Sequence, residues 1–207
     1  MTKKTALTIM LFIACFNLVA QEAEAPEEAK GGFKKENLFT GGNVNASFFN
    51  GTTSLGVSPY FGYSITNWLD AAVSLNFNYI SQRNFYDDGK IRQTIIGPGA
   101  FVRIFPVNFL FAQAQFEHNF IKINEIPPSN SGFTGAKYNT DVNSLLLGIG
   151  YASGRERGNN TYFYMSLSFD VLKLANSPYV DNLQRTLPII NAGFNIALFQ
   201  GRRNNYE

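Results

Sequence analysis

The sequence predicts an all-β fold, a closed antiparallel transmembrane barrel of about eight strands. Three observations lead to this prediction. No segment after residue 37 has a convincing helical period, whereas runs of about ten residues alternate between apolar and polar side chains. Within each run the bulky residues share one face and the small polar residues share the other. The connections between the runs also differ in length in the way that membrane barrels show.

The chain begins with the layout of a secretory signal peptide, which we place at residues 1–20. Met1 to Lys4 are basic, Thr5 to Val19 carry no charge, and cleavage after Ala20 would expose Gln21. A competing interpretation makes Cys15 the acylated first residue of a lipoprotein. Under either interpretation the mature body has no second cysteine, which excludes a disulfide and a cysteine metal site.

Residues 21–37 have no apolar period and are acidic first and basic afterwards, so we interpret them as a flexible periplasmic segment. A docking tail for a partner is the alternative. We place the barrel at residues 38–199 and a short tail at 200–207. Removing Lys3 and Lys4 lowers the basic count from 17 to 15, equal to the 15 acids, so no basic field favours nucleic acid as a partner.

The eight predicted strands vary in the clarity of their alternation. The clearest runs are Leu69 to Tyr79, Leu110 to Phe120, Tyr162 to Val171 and Ile190 to Leu198; the weaker ones are Phe39 to Asn50, Thr53 to Ile65, Gln93 to Phe105 and Val142 to Ala152. Each is long enough to cross a bilayer at a tilt, which takes roughly 9–11 residues. Proline cannot donate to a ladder, and we expect a bulge or bend at Gly97-Pro98-Gly99.

The lengths of the connections give the barrel a direction. If the first strand runs outward, the inner links are Thr66 to Trp68, Pro106 to Asn108 and Ser153 to Asn160, and the long outer links are Gln82 to Arg92, Ile123 to Asn139 and Lys173 to Arg185. Only the outer turn at Gly51-Thr52 is tight. Short periplasmic turns and longer external loops are typical of membrane barrels.

The volume of the barrel interior indicates which face of the strands points outward. An eight-stranded barrel has an interior just wide enough for side chains to fill, so the small polar face fits inside and the bulky apolar face meets lipid. Aromatic residues near the strand ends resemble interfacial girdles; we assign this role to Trp68, Phe77, Tyr79, Phe105, Phe109 and Phe199. The alternative is an aromatic-rich soluble β-sandwich.

Strand parity sends four charged residues into the lumen: Asp70, Arg103, Glu117 and Asp170. Asp70 and Arg103 lie near the inner ends of neighbouring strands, and we expect them to pair. We interpret the four as a structural plug network, because a buried unpaired charge costs several kcal/mol. The alternative is a selectivity ring or a proton path.

The sequence offers little for catalysis or metal binding. The single histidine, His118, has the parity of the lipid face, and position 120 is Phe where some barrel enzymes would need a serine. One histidine supplies too few ligands for a zinc site, and the adjacent acids Asp87 and Asp88 do not by themselves predict a cation site. We expect no enzyme activity, no metal and no cofactor.

Two segments resemble the outer-membrane β-barrel proteins common in Bacteroidetes: Ser58-Pro59-Tyr60-Phe61-Gly62-Tyr63 and Ile96-Gly97-Pro98-Gly99-Ala100-Phe101-Val102-Arg103. The last strand resembles the signal that the barrel-assembly machinery recognises, with Asn191, Gly193, Ile196 and Leu198 in its polar, glycine, apolar, apolar spacing. The sequence departs from that pattern by continuing past Phe199. The resemblance implies a barrel in the outer membrane of a Gram-negative bacterium and carries no activity.

The sequence therefore predicts a small outer-membrane barrel that acts as a structural or accessory interaction protein, with a subunit role in a larger complex as one form. Its expected partners are outer-membrane lipids, the barrel-assembly machinery that inserts it, and such a complex. The alternatives are a narrow porin-like channel for small solutes and, with less support, a lipid-modifying barrel enzyme.

Overall fold

The structure is a computed structural model that describes residues 33–49, 51–83, 89–128, 132, 134–156, 160–181 and 183–199. The predicted signal peptide, Cys15, most of the predicted periplasmic segment, Asp87 with Asp88, and the tail at 200–207 lie outside this range. Among the described residues, no helix is long and apolar enough to span a membrane.

Eight antiparallel strands form a closed barrel in chain order, and the ring closes by pairing of the first strand with the last. The strands are β1 Leu38–Phe49, β2 Thr52–Thr66, β3 Leu69–Arg83, β4 Lys90–Val107, β5 Leu110–Ile126, β6 Lys137–Ser153, β7 Tyr162–Asp170 and β8 Ile189–Ala197. A single 3-10 turn at Lys35–Asn37 precedes β1. The predicted fold class is confirmed.

Side chains alternate between an apolar outer wall and a largely polar lumen. On β7 the burial pattern alternates at every residue, with Phe163 and Met165 exposed and Ser166 and Ser168 buried. The most deeply buried side chains of the barrel include Asp70, Asn119 and Asn195. An exposed apolar wall around a closed polar interior is the arrangement of a transmembrane β-barrel.

The strands β3 to β6 extend further toward the outer end than the sequence predicted. They have 15, 18, 17 and 17 residues, against 9 in each of β7 and β8. The predicted loops Gln82 to Arg92 and Ile123 to Asn139 are shorter than expected, because their flanks belong to these strands. The prediction ended each strand where its outward side chains turn polar, but the ladder continues beyond that point.

The structure has no bulge at Gly97-Pro98-Gly99, where the sequence predicted a bulge or a bend. The pairing of β4 with β5 is interrupted between Ile96 and Gly99, but the register on either side is the same, and the pairing with β3 is unbroken there. Proline thus removes a ladder bond on one side without inserting a residue. The register shifts occur between Ser64 and Thr66 and between Ile104 and Val107, at the inner rim.

The lumen is filled by three groups of buried side chains. An aromatic layer near the inner end contains Phe39, Tyr60, Phe101, Phe105, Phe111, Tyr162 and Tyr164. An isoleucine cluster at the outer end of β3 to β6 contains Ile80, Ile95, Ile121, Ile123 and Val142. Leu146 and Ile189 pack with Tyr179, which belongs to the β7–β8 connection. Polar side chains lie between the first two groups.

Candidate functional site in the lumen

Arg103 is the centre of the aromatic layer. Its side chain is 1% exposed, and its guanidinium carbon lies 4.3 Å from the ring centroid of Tyr164, 4.6 Å from that of Phe111 and 4.9 Å from that of Phe101. Aromatic faces attract a desolvated guanidinium, which replaces part of the hydration that burial removes. The layer therefore holds a positive charge inside the barrel, packed among large rings.

The predicted ion pair between Asp70 and Arg103 is not formed, although the two residues are directly opposite in the β3–β4 ladder. The carboxylate of Asp70 instead lies 3.9 Å from Nη2 of Arg155, which follows β6. Arg155 is held against the ring of Phe105, 3.6 Å from its centroid, and donates to the carbonyl of Asn67 at 3.0 Å. Arg103 points further along the lumen, where amide and phenol oxygens accept hydrogen bonds from its guanidinium.

A chain of hydrogen bonds runs from Arg103 toward the outer end. Nε and Nη2 of Arg103 donate to Oε1 of Gln113 at 3.0 and 2.7 Å, and Nη1 donates to the hydroxyl of Tyr162 at 2.9 Å. Gln113 donates to Gln115 at 2.8 Å, and Gln115 donates to Oε1 of Glu117 at 2.7 Å. Two glutamine amides thus connect a buried cation to a buried carboxylate, which spreads each charge over the network.

The connection between β7 and β8 completes this network from outside. The hydroxyl of Tyr179 donates to Oε2 of Glu117 at 2.8 Å and accepts from Nδ2 of Asn78 at 3.1 Å. Ser177 donates to Oδ2 of Asp170 at 2.6 Å, at the outer end of β7. Tyr179 is 4% exposed, so the loop inserts its ring into the barrel and does not simply cover it. We call residues 171–188 the plug loop.

The four charged residues predicted for the lumen all have buried side chains, but sequence reasoning missed several of their partners. Arg155, Ser177 and Tyr179 lie in connections, where period-two alternation assigns no face. No sequence signal singles out Tyr179, because Val171, Leu172, Leu174 and Leu187 make the rest of the loop similarly apolar. Arg155 carries no signal either.

The predicted interfacial aromatics are exposed with one exception, two of them on β3 and the others in segments next to strand ends. Trp68, Phe77, Tyr79, Phe109 and Phe199 are between 39% and 68% exposed. Phe105 is 3% exposed and packs in the lumen against Phe111 and Tyr162, so its assignment to the girdle was wrong. Phe105 is two residues after the lumenal Arg103 and shares its face, whereas its neighbour Ile104 is on the wall.

The residues of the predicted assembly signal divide between the two faces of β8 and its end. The side chain of Asn191 donates to Ser168 at 3.4 Å, and Gly193 lies beside the ring of Tyr164. Ile196 is exposed on the wall, and Leu198, just after the strand, donates its backbone N–H to Leu38 at 2.8 Å. These positions describe a closing strand, and its recognition by an assembly machinery stays a prediction.

His118 lies on the outer wall, as its parity predicted. Its Nδ1 is 2.7 Å from Oδ1 of Asn143, its Nε2 is 3.9 Å from Oδ2 of Asp141, and its ring meets that of Phe120 edge-on. Ser144, the nearest serine along β6, has the opposite parity and is buried in the lumen. In the part of the chain that the structure describes, no three His, Cys, Asp or Glu residues gather as a metal site.

Neither a protein-family model nor a curated protein matches the sequence. Among solved structures, the chain is similar to the N-terminal β-barrel domain of Pseudomonas aeruginosa OprF, with 14% identity and a TM-score of 0.44 over 78% of this chain and 98% of that one. It is also similar to Ail of Yersinia pestis in complex with a heparin analogue, with 10% identity and a TM-score of 0.48 over 78% and 99% of the two chains. Identities this low say nothing about activity.

Proposed function

We propose that this chain is a sealed barrel of the Gram-negative outer membrane that acts as a structural or accessory interaction protein. The observation that carries the proposal is the hydrogen-bond chain from Arg103 through Gln113, Gln115 and Glu117 to Tyr179. It joins the aromatic layer near the inner end to a loop inserted from the outer side. A lumen built in this way stabilises the barrel. Contact with other molecules is then left to the outer wall and the loops.

A narrow channel is the first alternative, and conductance separates it from the proposal. The purified full-length protein, reconstituted in a planar bilayer, should give no discrete conductance steps at either polarity. A wide porin in a parallel chamber shows that insertion and recording work. Reproducible single-channel steps from the wild-type barrel would overturn the sealed state.

The accessory role has a different test, which is purification of the tagged protein from its native membrane in mild detergent. Mass spectrometry of the purified material should find one reproducible protein at near-stoichiometric amounts. The partner would contact the lipid-facing wall or the loops, because the lumen has no room for it. Recovery of the barrel alone would remove the accessory role and leave an independent structural protein.

A lipid-modifying enzyme is the second alternative. His118 with Asp141 supplies a base and a carboxylate on the wall, but the outward residue beside them is Asn143, an amide without nucleophilic character. We expect the reconstituted protein to leave outer-membrane lipids unchanged. Lipid hydrolysis or acyl transfer that disappears in a His118→Ala variant would contradict this expectation.

The resemblance of Ser58 to Tyr63 and Ile96 to Arg103 to barrels of Bacteroidetes supports this cellular location and origin. The spacing of Asn191, Gly193, Ile196 and Leu198 supports insertion as a client of the barrel-assembly machinery. A substitution at Gly193 would also disturb packing against the Tyr164 ring, so its effect on recognition by the machinery could not be separated from its effect on the fold. Ile196→Ser on the exposed wall is the cleaner test, and it should lower the amount of barrel inserted in the membrane.

A further inference from the structure

The outward face of β3 to β6 carries a group of cations at its outer end: Arg83, Lys90, Arg92, Lys122 and Lys137. We call these residues the outer cationic row. Strand parity places them on the outer wall, because each lies an even number of residues from an exposed wall residue of its strand, such as Tyr79 on β3 or Phe120 on β5. The outer ends of β1, β2, β7 and β8 have no basic residue on this face.

The row begins where the wall changes from apolar to polar. Along β5, Phe116 and Phe120 are exposed on the wall, and Lys122 is the next outward residue. Along β4, Ile96 is exposed, Thr94 follows, and Arg92 is next. At the same height the lumenal face carries the isoleucine cluster, so the inside of the barrel is apolar there and the outside is polar. Arg92 and Lys122 therefore lie at the apolar–polar boundary, where lipid headgroups meet a membrane protein.

The cations of the row are close together on neighbouring strands. Arg83 is directly opposite Lys90, and Arg92 is diagonal to Lys122, because Thr94 pairs with Lys122. Like charges in these positions repel each other and destabilise a ladder. No ion pair joins any of the five to an acid in the described part of the chain.

Two described acids, Asp141 and Glu125, lie near the row. Asp141, on the wall of β6, is diagonal to Lys122, because Lys122 pairs with Asn139, and its Oδ2 is 3.9 Å from Nε2 of His118. Glu125 has lumenal parity and accepts a hydrogen bond from the Tyr138 hydroxyl at 3.0 Å. The loop acids Asp87 and Asp88 are not among the described residues. The two described acids are fewer than the five cations, so a phosphate from outside the protein would offset positive charge that the described part of the surface leaves over.

We propose that the outer cationic row binds the phosphate groups of a phosphorylated lipid in the outer leaflet, with its acyl chains along the apolar wall of β3 to β5. A phosphate accepts two parallel hydrogen bonds from an arginine guanidinium and is attracted by the point charge of a lysine ammonium. Arg92 and Lys122 supply one of each. The acyl chains would lie against Phe77, Ile96 and Phe120, which are exposed below the row. A membrane lipid satisfies both chemistries, whereas a free phosphate satisfies only one.

The test is lipid retention by the full-length protein in phosphatidylcholine nanodiscs doped with lipid A, in its bisphosphorylated form or its dephosphorylated form. Native mass spectrometry of the released protein measures the bound fraction. We expect the bisphosphorylated lipid to bind, and the Arg92→Gln, Lys122→Gln double variant to bind it at least about tenfold more weakly. A charge-preserving Arg92→Lys, Lys122→Arg double variant should retain most of the binding.

The matched control is the Lys34→Gln, Lys35→Gln double variant, which removes the same charge at the inner end and should bind lipid A like the wild type. An excess of inorganic phosphate should not displace the lipid, because the acyl chains hold it in the wall. Equal retention of both lipid forms, or undiminished binding by the Arg92, Lys122 double variant, would overturn the proposal. Displacement by inorganic phosphate alone would overturn the assignment to a lipid.

Discussion

At the scale of single residues, glycines give the lumenal aromatic rings their space. A Cβ at Gly193 would lie 2.8 Å from the ring of Tyr164, and one at Gly41 would lie 2.6 Å from that of Tyr60. Gly62 and Gly150 face Phe39 and Phe111 in the same manner. A barrel of eight strands has a fixed, narrow interior, so each large ring requires a small neighbour on the adjacent strand.

Gly150→Ala should therefore destabilise the barrel. The new Cβ would overlap the ring of Phe111 and lie 2.7 Å from the carbonyl oxygen of Met165, and backbone cannot yield as a flexible side chain can. Overpacking of this kind costs about 1–3 kcal/mol. Urea unfolding in micelles, followed by Trp68 fluorescence, measures the change.

The control for this substitution is Gly42→Ala, because a Cβ at Gly42 has no heavy atom nearer than 3.6 Å. Its unfolding midpoint should stay at the wild-type value or rise, since alanine restricts the unfolded chain more than glycine does. Equal midpoints for Gly150→Ala and the wild type would contradict the packing account.

Arg103→Ala should lower the unfolding free energy by about 3–5 kcal/mol. The substitution leaves a cavity between three rings and removes the donors to Gln113 and Tyr162. Arg92→Ala, at an exposed position on the wall, is the control and should change stability by no more than about 0.5 kcal/mol. An unchanged midpoint for Arg103→Ala in the same urea titration would mean that the network does not support the barrel.

The sequence predicted which residues share a face better than it predicted which atoms meet. Parity assigned Asp70 and Arg103 to the lumen and placed them on neighbouring strands, but the ion pair went to Arg155. Which arginine pairs with Asp70 depends on side-chain length and on the positions of the aromatic rings in the layer. The pattern of a single strand contains no information on either. Phe105 shows the opposite case, because consistent use of parity with Arg103 would have placed it correctly.

At the scale of elements, the plug loop is held by local and distant contacts. Tyr179 and Ser177 bind the lumen, while Asp181 organises the tip. The carboxylate of Asp181 accepts hydrogen bonds from the backbone N–H groups of Leu183 and Arg185 at 2.9 Å each, and it pairs with the guanidinium of Arg185 at 2.7 Å. The loop tip therefore depends on an ionised carboxylate.

The order of the plug-loop tip should consequently depend on pH. Burial acts to raise the pKa of Asp181, but the hydrogen bonds and charge of Arg185 outweigh it, so the pKa lies below its ordinary value of 3.8. A lowered acid pKa adds stability that is present above the ordinary value and is lost as pH falls through the folded-state value. Cleavage of the loop by pepsin should thus increase at acid pH below that ordinary value.

Asp181→Asn is the control for the pH effect, because an amide cannot titrate in this range. In this variant, loop cleavage should lose the step that the wild type shows on acidification, after correction for the activity of pepsin on an unstructured peptide. A wild-type loop whose cleavage rate does not change across this range would contradict the role of Asp181.

The positions of the strands could be predicted, but the extent of β3 to β6 could not. Alternation locates a strand only where one face is apolar and the other is polar in a constant sense. Above the wall boundary the sense reverses, with Ile80, Ile121 and Ile123 inside and Ser81, Lys122 and Asn124 outside. This reversal cancels the apolar–polar alternation when the full strand is considered, so the sequence pattern predicted loops at the outer ends.

At the scale of the whole molecule, the account depends on one assignment: the apolar face of the barrel is outside and the polar face is inside. The lumen network, the plug loop and the outer cationic row all follow from that orientation. Phe61 on β2 and Phe101 on β4 lie at nearly the same height, since Phe61 pairs with Val73 and Phe101 pairs with Ala72. Phe61 is 48% exposed, and Phe101 is 4% exposed.

The most direct measurement is quenching of tryptophan fluorescence by phospholipids brominated along their acyl chains, in proteoliposomes of the full-length protein. Trp68 is the only tryptophan, so Phe61→Trp and Phe101→Trp can each be made in a Trp68→Phe background. Heat-modified gel mobility confirms that both variants are folded. We predict strong quenching at position 61 and almost none at position 101; equal quenching, or stronger quenching at position 101, would contradict the orientation of the barrel.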